Sequence, residues 1–538
     1  MLALSEKILA EAKTKLKLDK ESNLNREEEW FDDNQLLVHG LAWIATYVEA
    51  IKQITNWGQK ISKKEKMSEF EALALEVASE EYFWQIVHGI PMSQTEFIRP
   101  KDFGIESNHL PSLLSRAEFK NFGDQNHLNR KKKKLVELAL EKENAVLFEE
   151  TGLKEEYQII RDQFHKYNKK RINNNAQIWH KEDILIPSEI ISELAQMGVF
   201  GLTVPENFGG LGLDKLAMCV VSEELSRGYI GIGSLGTRTE IASELILNDG
   251  SENQKKEFLP KIASGELIPA AVFTEPDIGS DLGSIKTVAK KVGDKYLVTG
   301  NKTWITHASR SDLMIILART NPNPLLKNKG LSIILSKKTR GNLNNFFPDD
   351  SITGTEIKVL GYRGMKEFEI RLENFPVPKS GLLGDIEDAG FSQLMKTFES
   401  ARIQTAARSI GVAQNALDLA ISYANNRTQF DKKLVSFQRI YNKIALMIAE
   451  IILGRQLLYF AARNKDKGHR CDIEAGMAKL LCGRIAWACA DNSLQIHGGN
   501  GYALEYDISR VLCDSRVLSI FEGTAEIQAQ IIGKRILK

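Results

Sequence analysis

The chain has 538 residues, 43% of them hydrophobic, and a formal net charge of +1 at pH 7. That length supports several buried cores, roughly three or four domains at about 150 residues each. The near-neutral balance gives no whole-protein electrostatic reason to expect a nucleic-acid partner. The five cysteines, Cys219, Cys471, Cys482, Cys489 and Cys513, form neither a CxxC pair nor a cluster of zinc spacing.

Thiols spread in this way suit a reducing, cytoplasmic compartment. The opening Met1-Leu2-Ala3-Leu4-Ser5-Glu6-Lys7 lacks the basic start and apolar core of a signal peptide, and apolar stretches such as 444–453 are broken by a charge, so no membrane span is expected.

Residues 1–149 read as a helical extension: apolar residues recur at three and four spacings over 36–61 and 70–90, with Pro91, Pro100 and Pro111 as punctuation. The basic run 130–134 lacks interleaved aromatics and reads as a solvated linker face rather than a phosphate site. Helical periodicity continues through 150–267, interrupted by the glycine-rich loop 205–212. Over 268–387 the period changes: 296–299, 312–318, 331–335, 356–360 and 368–372 read as strands bounded by turn residues. No helices are interleaved, so an antiparallel barrel or sandwich is expected. Helical periods return over 388–538, in 391–425, 437–464, 473–495 and 523–537. The fold class is therefore α+β, mainly α.

Gly231-Ile232-Gly233-Ser234-Leu235-Gly236 fits GxGxxG, but the preceding 216–227 is helical in pattern and no βαβ unit follows, so it is no dinucleotide loop. Walker, GxSxG and HExxH motifs are lacking as well.

Near the C-terminus, Glu522 stands in Ile520-Phe521-Glu522-Gly523-Thr524-Ala525-Glu526-Ile527-Gln528, a carboxylate before a glycine at a helix start. Alone, such a carboxylate stabilises a helix start as readily as it serves as a base. Four further segments change its meaning: Phe273-Thr274-Glu275-Pro276-Asp277-Ile278-Gly279-Ser280-Asp281, Trp304-Ile305-Thr306, Arg427-Thr428-Gln429-Phe430 and Gln495-Ile496-His497-Gly498-Gly499-Asn500-Gly501. In this order and spacing, over about 150–538, the five resemble the acyl-CoA dehydrogenase family.

The resemblance implies a helical domain, a β domain and a C-terminal four-helix bundle, in a homo-oligomer (dimer or tetramer) with one FAD per subunit. It implies that Phe273, Thr274, Gly279, Ser280, Trp304, Ile305 and Thr306 hold the flavin, Thr306 near N5. Arg427, Phe430, Gln438, Gln495, Gly498, Gly499, Thr524 and Glu526 would complete the cofactor site, in part across a subunit interface. Glu522 would abstract the α-proton of an acyl-CoA thioester while flavin N5 takes the β-hydride, with electrons passing to an electron-transfer flavoprotein. Its carboxylate would be kept dry and unpaired, since burial raises basicity. Some family members carry the base in a bundle helix, but Ala401 occupies that position here. Ser280, Arg402, Glu399 and Gly523 would touch substrate, and His497 reads as structural because no triad partner accompanies it.

The extension, with stretches 39–50, 361–367 and 399–407, resembles the branch of the family acting on methyl-branched dicarboxylic thioesters. A distal carboxylate needs a buried cation, and Arg238 is nominated, with pairing to Glu240 as the alternative. A short- or branched-chain acyl-CoA dehydrogenase, an acyl-CoA oxidase that makes peroxide, and a non-catalytic helical scaffold remain alternatives.

Overall fold

A computed structural model describes residues 1–23, 26–64, 67–105, 124–141 and 152–538. Pro111 and the 149/150 boundary lie outside the described residues. In chain order the extension contributes α1 (Leu2–Glu21), α2 (Glu27–Asp33), α3 (Gln35–Lys64), α4 (Glu69–His88) and α5 (Gln125–Glu141). Next come α6 (Glu155–Tyr167), α7 (Asn173–Lys181), α8 (Ser188–Gln196), α9 (Lys215–Gly228), α10 (Ile230–Asp249) and α11 (Glu252–Ala263). A sheet follows, of β1 (Pro269–Val272), β2 (Val288–Val292), β3 (Lys295–Thr306), β4 (Leu313–Arg319), β5 (Leu331–Lys337), β6 (Ile352–Ile357) and β7 (Glu367–Pro378). The chain closes with α12 (Gly390–Asn426), α13 (Gln438–Asp466), α14 (Asp472–His497), α15 (Asp507–Arg516) and α16 (Ala525–Ile536).

Two compact units result: Met1–Ile159 with Thr405–Lys538, and Ile160–Gln404. In the first, α3 packs on α1, α4, α13 and α16, and α4 and α5 also meet α13. Leu41, Ala45, Val48 and Ile51 make the buried stripe of α3 at three and four spacings. Each aliphatic side chain withdrawn from water there contributes about 1.5–3 kcal/mol. Ser68 and Glu71 form a reciprocal capping box that starts α4. The contact is polar at its centre. Tyr47 stacks on Tyr82 with ring centres 4.3 Å apart, the Tyr82 hydroxyl donates to Glu450 at 3.1 Å, and the Arg484 guanidinium lies over Trp43 and Tyr47 at 5.0 Å. Burial raises the Glu450 carboxyl, with Arg484 pulling the other way.

The basic run is only partly solvated, with Arg130 and Lys133 exposed. Lys131 pairs with Glu76 at 3.1 Å and Glu80 at 3.5 Å, and Lys132 with Glu81, because α4 presents acids along the face that meets α5. Helix α13 is the one described helix long and apolar enough to cross a bilayer, and 83% of that apolar window is buried among its neighbours.

In the second unit the sheet runs β1-β4-β2-β3-β7-β6, with β5 on the free side of β4. Most pairings are antiparallel as expected, but β1 and β2 each pair with β4 in parallel, so the sheet is mixed. Alternation along one strand carries no information on the direction of its neighbour, which long connections set. Strand β4 is buried on both faces: Leu313, Ile315 and Leu317 pack with α10 and α11, while Met314, Ile316 and Ala318 join Val298 and Phe368. The GxGxxG string lies inside helix α10, where a Cβ on Gly233 would strike the Ser226 hydroxyl at 2.0 Å, so packing rather than phosphate explains that glycine.

Candidate active site

In the second unit, β3 and the segment after β1 build one group of candidate residues. Glu275 fixes that segment. Its carboxylate accepts from the backbone N–H groups of Lys286 and Thr287, both at 2.8 Å, and from Lys302 Nζ at 3.1 Å. Lys302, wholly buried, also donates to the carbonyls of Phe273 at 2.8 Å and Leu317 at 2.9 Å. Burial pushes the Glu275 carboxyl upward, but Lys302 and the two N–H groups outweigh it and hold the group below its ordinary range. Held this way, the loop leaves Gly279 and Ser280 exposed, while Thr303 N–H donates to the Thr274 carbonyl at 2.9 Å and ties the segment to β3.

Register between β3 and β7 shifts between Lys302 and Ile305, a bulge that places Trp304 at a left-handed φ of 56° with 57% of its surface exposed. Ile305 and Phe273 are buried, Phe273 edge-on to Phe398 at 6.2 Å. Thr306 ends β3 buried. Its hydroxyl donates to Glu367 Oε2 at 2.9 Å and accepts from Arg238 Nη2 at 3.4 Å. Arg238 therefore faces Thr306, not Glu240, whose carboxylate is taken by Lys215 and by Thr203 at 2.6 Å. Glu399 and Arg402 are both buried on α12.

The first unit carries the other group. Glu522 adopts φ 53° and Gly523 φ 88°, a left-handed pair that only a glycine makes easy at the second position. A Cβ on Gly523 would also meet Gln528 Nε2 at 2.3 Å. Gln528 donates to the carbonyls of Glu522 and Gly523, each at 3.3 Å, and buried Lys479 donates to that of Gly523. Thr524 accepts from Ile527 N–H at 3.3 Å as the cap of α16, and Glu526 sits exposed in its first turn.

The Glu522 side chain is 13% exposed, and its carboxylate is not unpaired. Arg408 Nη2 donates to its Oε1 at 2.8 Å, and the Thr405 hydroxyl donates to Oε2. Arg408, fully buried on α12, also lies 4.7 Å over the Phe521 ring. The expectation of an isolated carboxylate is corrected: a buried charge without a partner costs several kcal/mol, and Arg408 offsets it.

Elsewhere in this unit, Arg427 begins a tight hairpin whose tip, Phe430, is 86% exposed. Gln438 and Gln495 are exposed, and nothing lies within 4 Å of a Cβ built on Gly498 or Gly499. His497 Nδ1 meets the Ser493 carbonyl at 2.7 Å and its ring stacks on Tyr423 at 4.2 Å, the structural placement expected of it.

Three family models match in order: the acyl-CoA dehydrogenase N-terminal domain over residues 154–266, the middle domain over 270–375 and the C-terminal domain over 388–537. The chain belongs to the acyl-CoA dehydrogenase family. It is 54% identical over 506 residues, 94% of this chain and 91% of the relative, to a (2S)-methylsuccinyl-CoA dehydrogenase from Cereibacter sphaeroides. It is 35% identical, over 71% of its own length and 99% of the other, to a subunit of the caffeyl-CoA reductase-Etf complex of Acetobacterium woodii. Among solved structures it resembles butyryl-CoA dehydrogenase from Megasphaera elsdenii, with TM-score 0.68, 29% identity and coverage of 72% of this chain and 99% of that one. A match over 506 of 538 residues takes in most of the N-terminal extension.

As an acyl-CoA dehydrogenase the chain is an oxidoreductase of acyl-CoA thioesters in a family of flavoproteins. The residues present fit a flavin dinucleotide. Exposed Trp304 offers an apolar wall for a flat ring, Gly279 leaves room for close backbone approach with only the Thr274 methyl at 4.0 Å, and Gly498 and Gly499 have open space around them. Among the described residues no group of His, Cys, Asp and Glu could hold a metal. Sequence reasoning missed Arg408, Thr405, Lys302 and Glu367. The available signal was a charge inside an otherwise apolar helix for Arg408 and inside a strand for Lys302.

Proposed function

We propose that this dehydrogenase oxidises (2S)-methylsuccinyl-CoA to mesaconyl-CoA, with Glu522 as the base and FAD as the cofactor. The observation that carries the chemistry is Glu522 itself, set in a strained left-handed turn with its carboxylate accepting from Arg408 Nη2 at 2.8 Å. Its carboxylate takes the α-proton of the thioester. The chemistry that bound FAD would supply is an acceptor for the β-hydrogen with its electron pair. Gln528 and Lys479 fix the carbonyls on either side of Gly523, so the carboxylate cannot drift with its loop. Arg408 must loosen its hold as the proton arrives, since a neutral carboxylic acid no longer matches it.

Thr274, Trp304, Ile305, Thr306, Phe273, Gly279 and Ser280 would line the flavin. Arg427, Phe430, Gln438, Gln495, Gly498, Gly499, Thr524 and Glu526 would meet a flavin dinucleotide, in part across a subunit interface. Arg402, Glu399, Ser280 and Gly523 would contact the CoA ester, and Arg238 its distal carboxylate. The 54% identity to a (2S)-methylsuccinyl-CoA dehydrogenase and the engagement of Glu240 by Lys215 and Thr203 support the substrate. We place residues 1–149, 150–267, 268–387 and 388–538 as four domains, the chain in the cytoplasm as a dimer or tetramer, and an electron-transfer flavoprotein as acceptor, in keeping with the Etf-complex relative.

Anaerobic mixing of the yellow holoenzyme with a panel of CoA esters tests the reading. Methylsuccinyl-CoA should bleach the flavin at least about tenfold faster than butyryl-CoA or isobutyryl-CoA, a difference of about 1.4 kcal/mol in barrier. Bleaching led by a straight or simply branched ester would overturn the substrate, and rapid peroxide formation in air would make the protein an oxidase.

A further inference from the structure

Glu367 has no place in the roles above, yet it is the most unusual acid in the second unit. It stands at the first position of β7, opposite Thr306, with 5% of its surface exposed. One oxygen accepts from Thr306, and the other, Oε1, has no hydrogen-bond partner among the described residues. Thr306 in turn accepts from Arg238, so a single hydroxyl joins this acid to the guanidinium nominated for the substrate's second carboxylate. Burial raises the Glu367 carboxyl to about 8, against the pull of Arg238 and of the Thr306 hydrogen bond.

The other charges on the surrounding elements are committed elsewhere. Lys366 pairs with Glu356 on β6 and with Asp183, and Lys302 on β3 with Glu275. Arg310, in the turn after β3, donates to the Ile186 carbonyl, and Lys338, past the end of β5, to the carbonyls of Ser309, Ser311 and Thr339. His307, in that same turn, is kept neutral by burial first and by Arg310, Arg340 and Arg238 after it. Arg238 is therefore the cation whose charge Glu367 feels most.

We propose that Glu367 is a specificity-determining residue: when a second carboxylate docks on Arg238, Glu367 takes a proton from solvent, so affinity for dicarboxylic thioesters falls with rising pH while affinity for monocarboxylic ones does not. The inference rests on the dicarboxylic reading given under Proposed function. An arriving anion cancels the attraction that favours ionised Glu367 and adds repulsion, so binding and protonation reinforce each other. Thioesters without the distal carboxylate leave the Arg238–Thr306–Glu367 chain undisturbed.

Binding is measured on the oxidised holoenzyme with mesaconyl-CoA and crotonyl-CoA, enoyl thioesters that add no turnover, by the shift of the flavin spectrum. The Kd for mesaconyl-CoA should rise about tenfold between about pH 7 and about pH 9, and that for crotonyl-CoA by less than about twofold. Lys302 and Lys338, which burial lowers to about 8, titrate in the same range but act alike on both ligands. Glu367→Gln should flatten the mesaconyl-CoA profile. Calorimetry of unmodified protein in two buffers of different ionisation enthalpy should show uptake approaching one proton near pH 9 with mesaconyl-CoA alone, a readout that stands even if the variant does not fold. Tighter binding of mesaconyl-CoA with parallel pH profiles and no uptake would overturn the role of Glu367 and leave the substrate reading intact. Equal binding of the two at every pH would remove the dicarboxylic reading itself, and the proposal with it.

Discussion

Replacing Lys302 by methionine probes what holds the loop after β1. The change removes three hydrogen bonds, to the Phe273 carbonyl, the Leu317 carbonyl and Glu275, and leaves Glu275 buried at 5% exposure with only the Lys286 and Thr287 N–H groups. A buried ion stripped of its partner costs about 3–5 kcal/mol, and each orphaned carbonyl adds about 1 kcal/mol or more. A local loss of about 5 kcal/mol follows, comparable with the whole stability of many domains. Adding Glu275→Gln should recover about 2–3 kcal/mol, because a neutral amide keeps an oxygen for the two N–H groups without a buried charge. Hydrogen exchange of peptides spanning 269–306 reads this directly, since two compact units need not unfold as one. If Lys302→Met changed protection there by less than about 1 kcal/mol, or if the double variant were worse than the single by a similar margin, the reasoning about this buried pair would be wrong.

Glu367 also predicts a pH effect on stability: the unfolded carboxyl loses its proton near 4.5 and the folded one near 8, so stability present below 4.5 is lost as pH rises to 8. The loss is on the order of 4 kcal/mol, and urea titrations of Glu367→Gln should lack it. Burial lowers the His307 imidazole from 6.5 to about 3, so stability is lost as pH falls through that window, and His307→Gln should flatten the acid side of the same titrations. Arg484→Met leaves Glu450 buried beside two tyrosines and should cost about 3–5 kcal/mol in exchange protection of α4 and α13. Gly499→Val meets open space, so apoprotein melting should stay within about 1 °C while FAD affinity drops at least about tenfold, about 1.4 kcal/mol.

The long helices were legible because their apolar stripes are sustained: periodicity over 36–61 and 437–464 marks α3 and α13 to within three residues of their ends. Strand β1, Pro269-Ala-Ala-Val, escaped notice because it is short, alanine-rich and buried on both faces, so no alternation survives. Strand β7 runs on through Pro376 to Pro378, past its expected end at Leu372, because it pairs with the equally long β3. Residues 358–360 read as strand but follow the end of β6, since no neighbour pairs with them. At the candidate site, local motifs exposed Glu522, Trp304 and Thr306. Their partners Arg408 and Glu367 lie 114 and 61 residues away, joined only by folding. Glu240 could be set aside as the partner of Arg238 only once Lys215 and Thr203 were seen to occupy it.

The proton-accepting role of Glu522 is tested most directly by single-turnover bleaching with methylsuccinyl-CoA under argon, comparing the native holoenzyme with Glu522→Gln at equal flavin content. Loss of a positioned base should slow bleaching about 10²–10⁴-fold without release of the flavin. Bleaching within about threefold of the native rate, less than 1 kcal/mol of barrier, would contradict it.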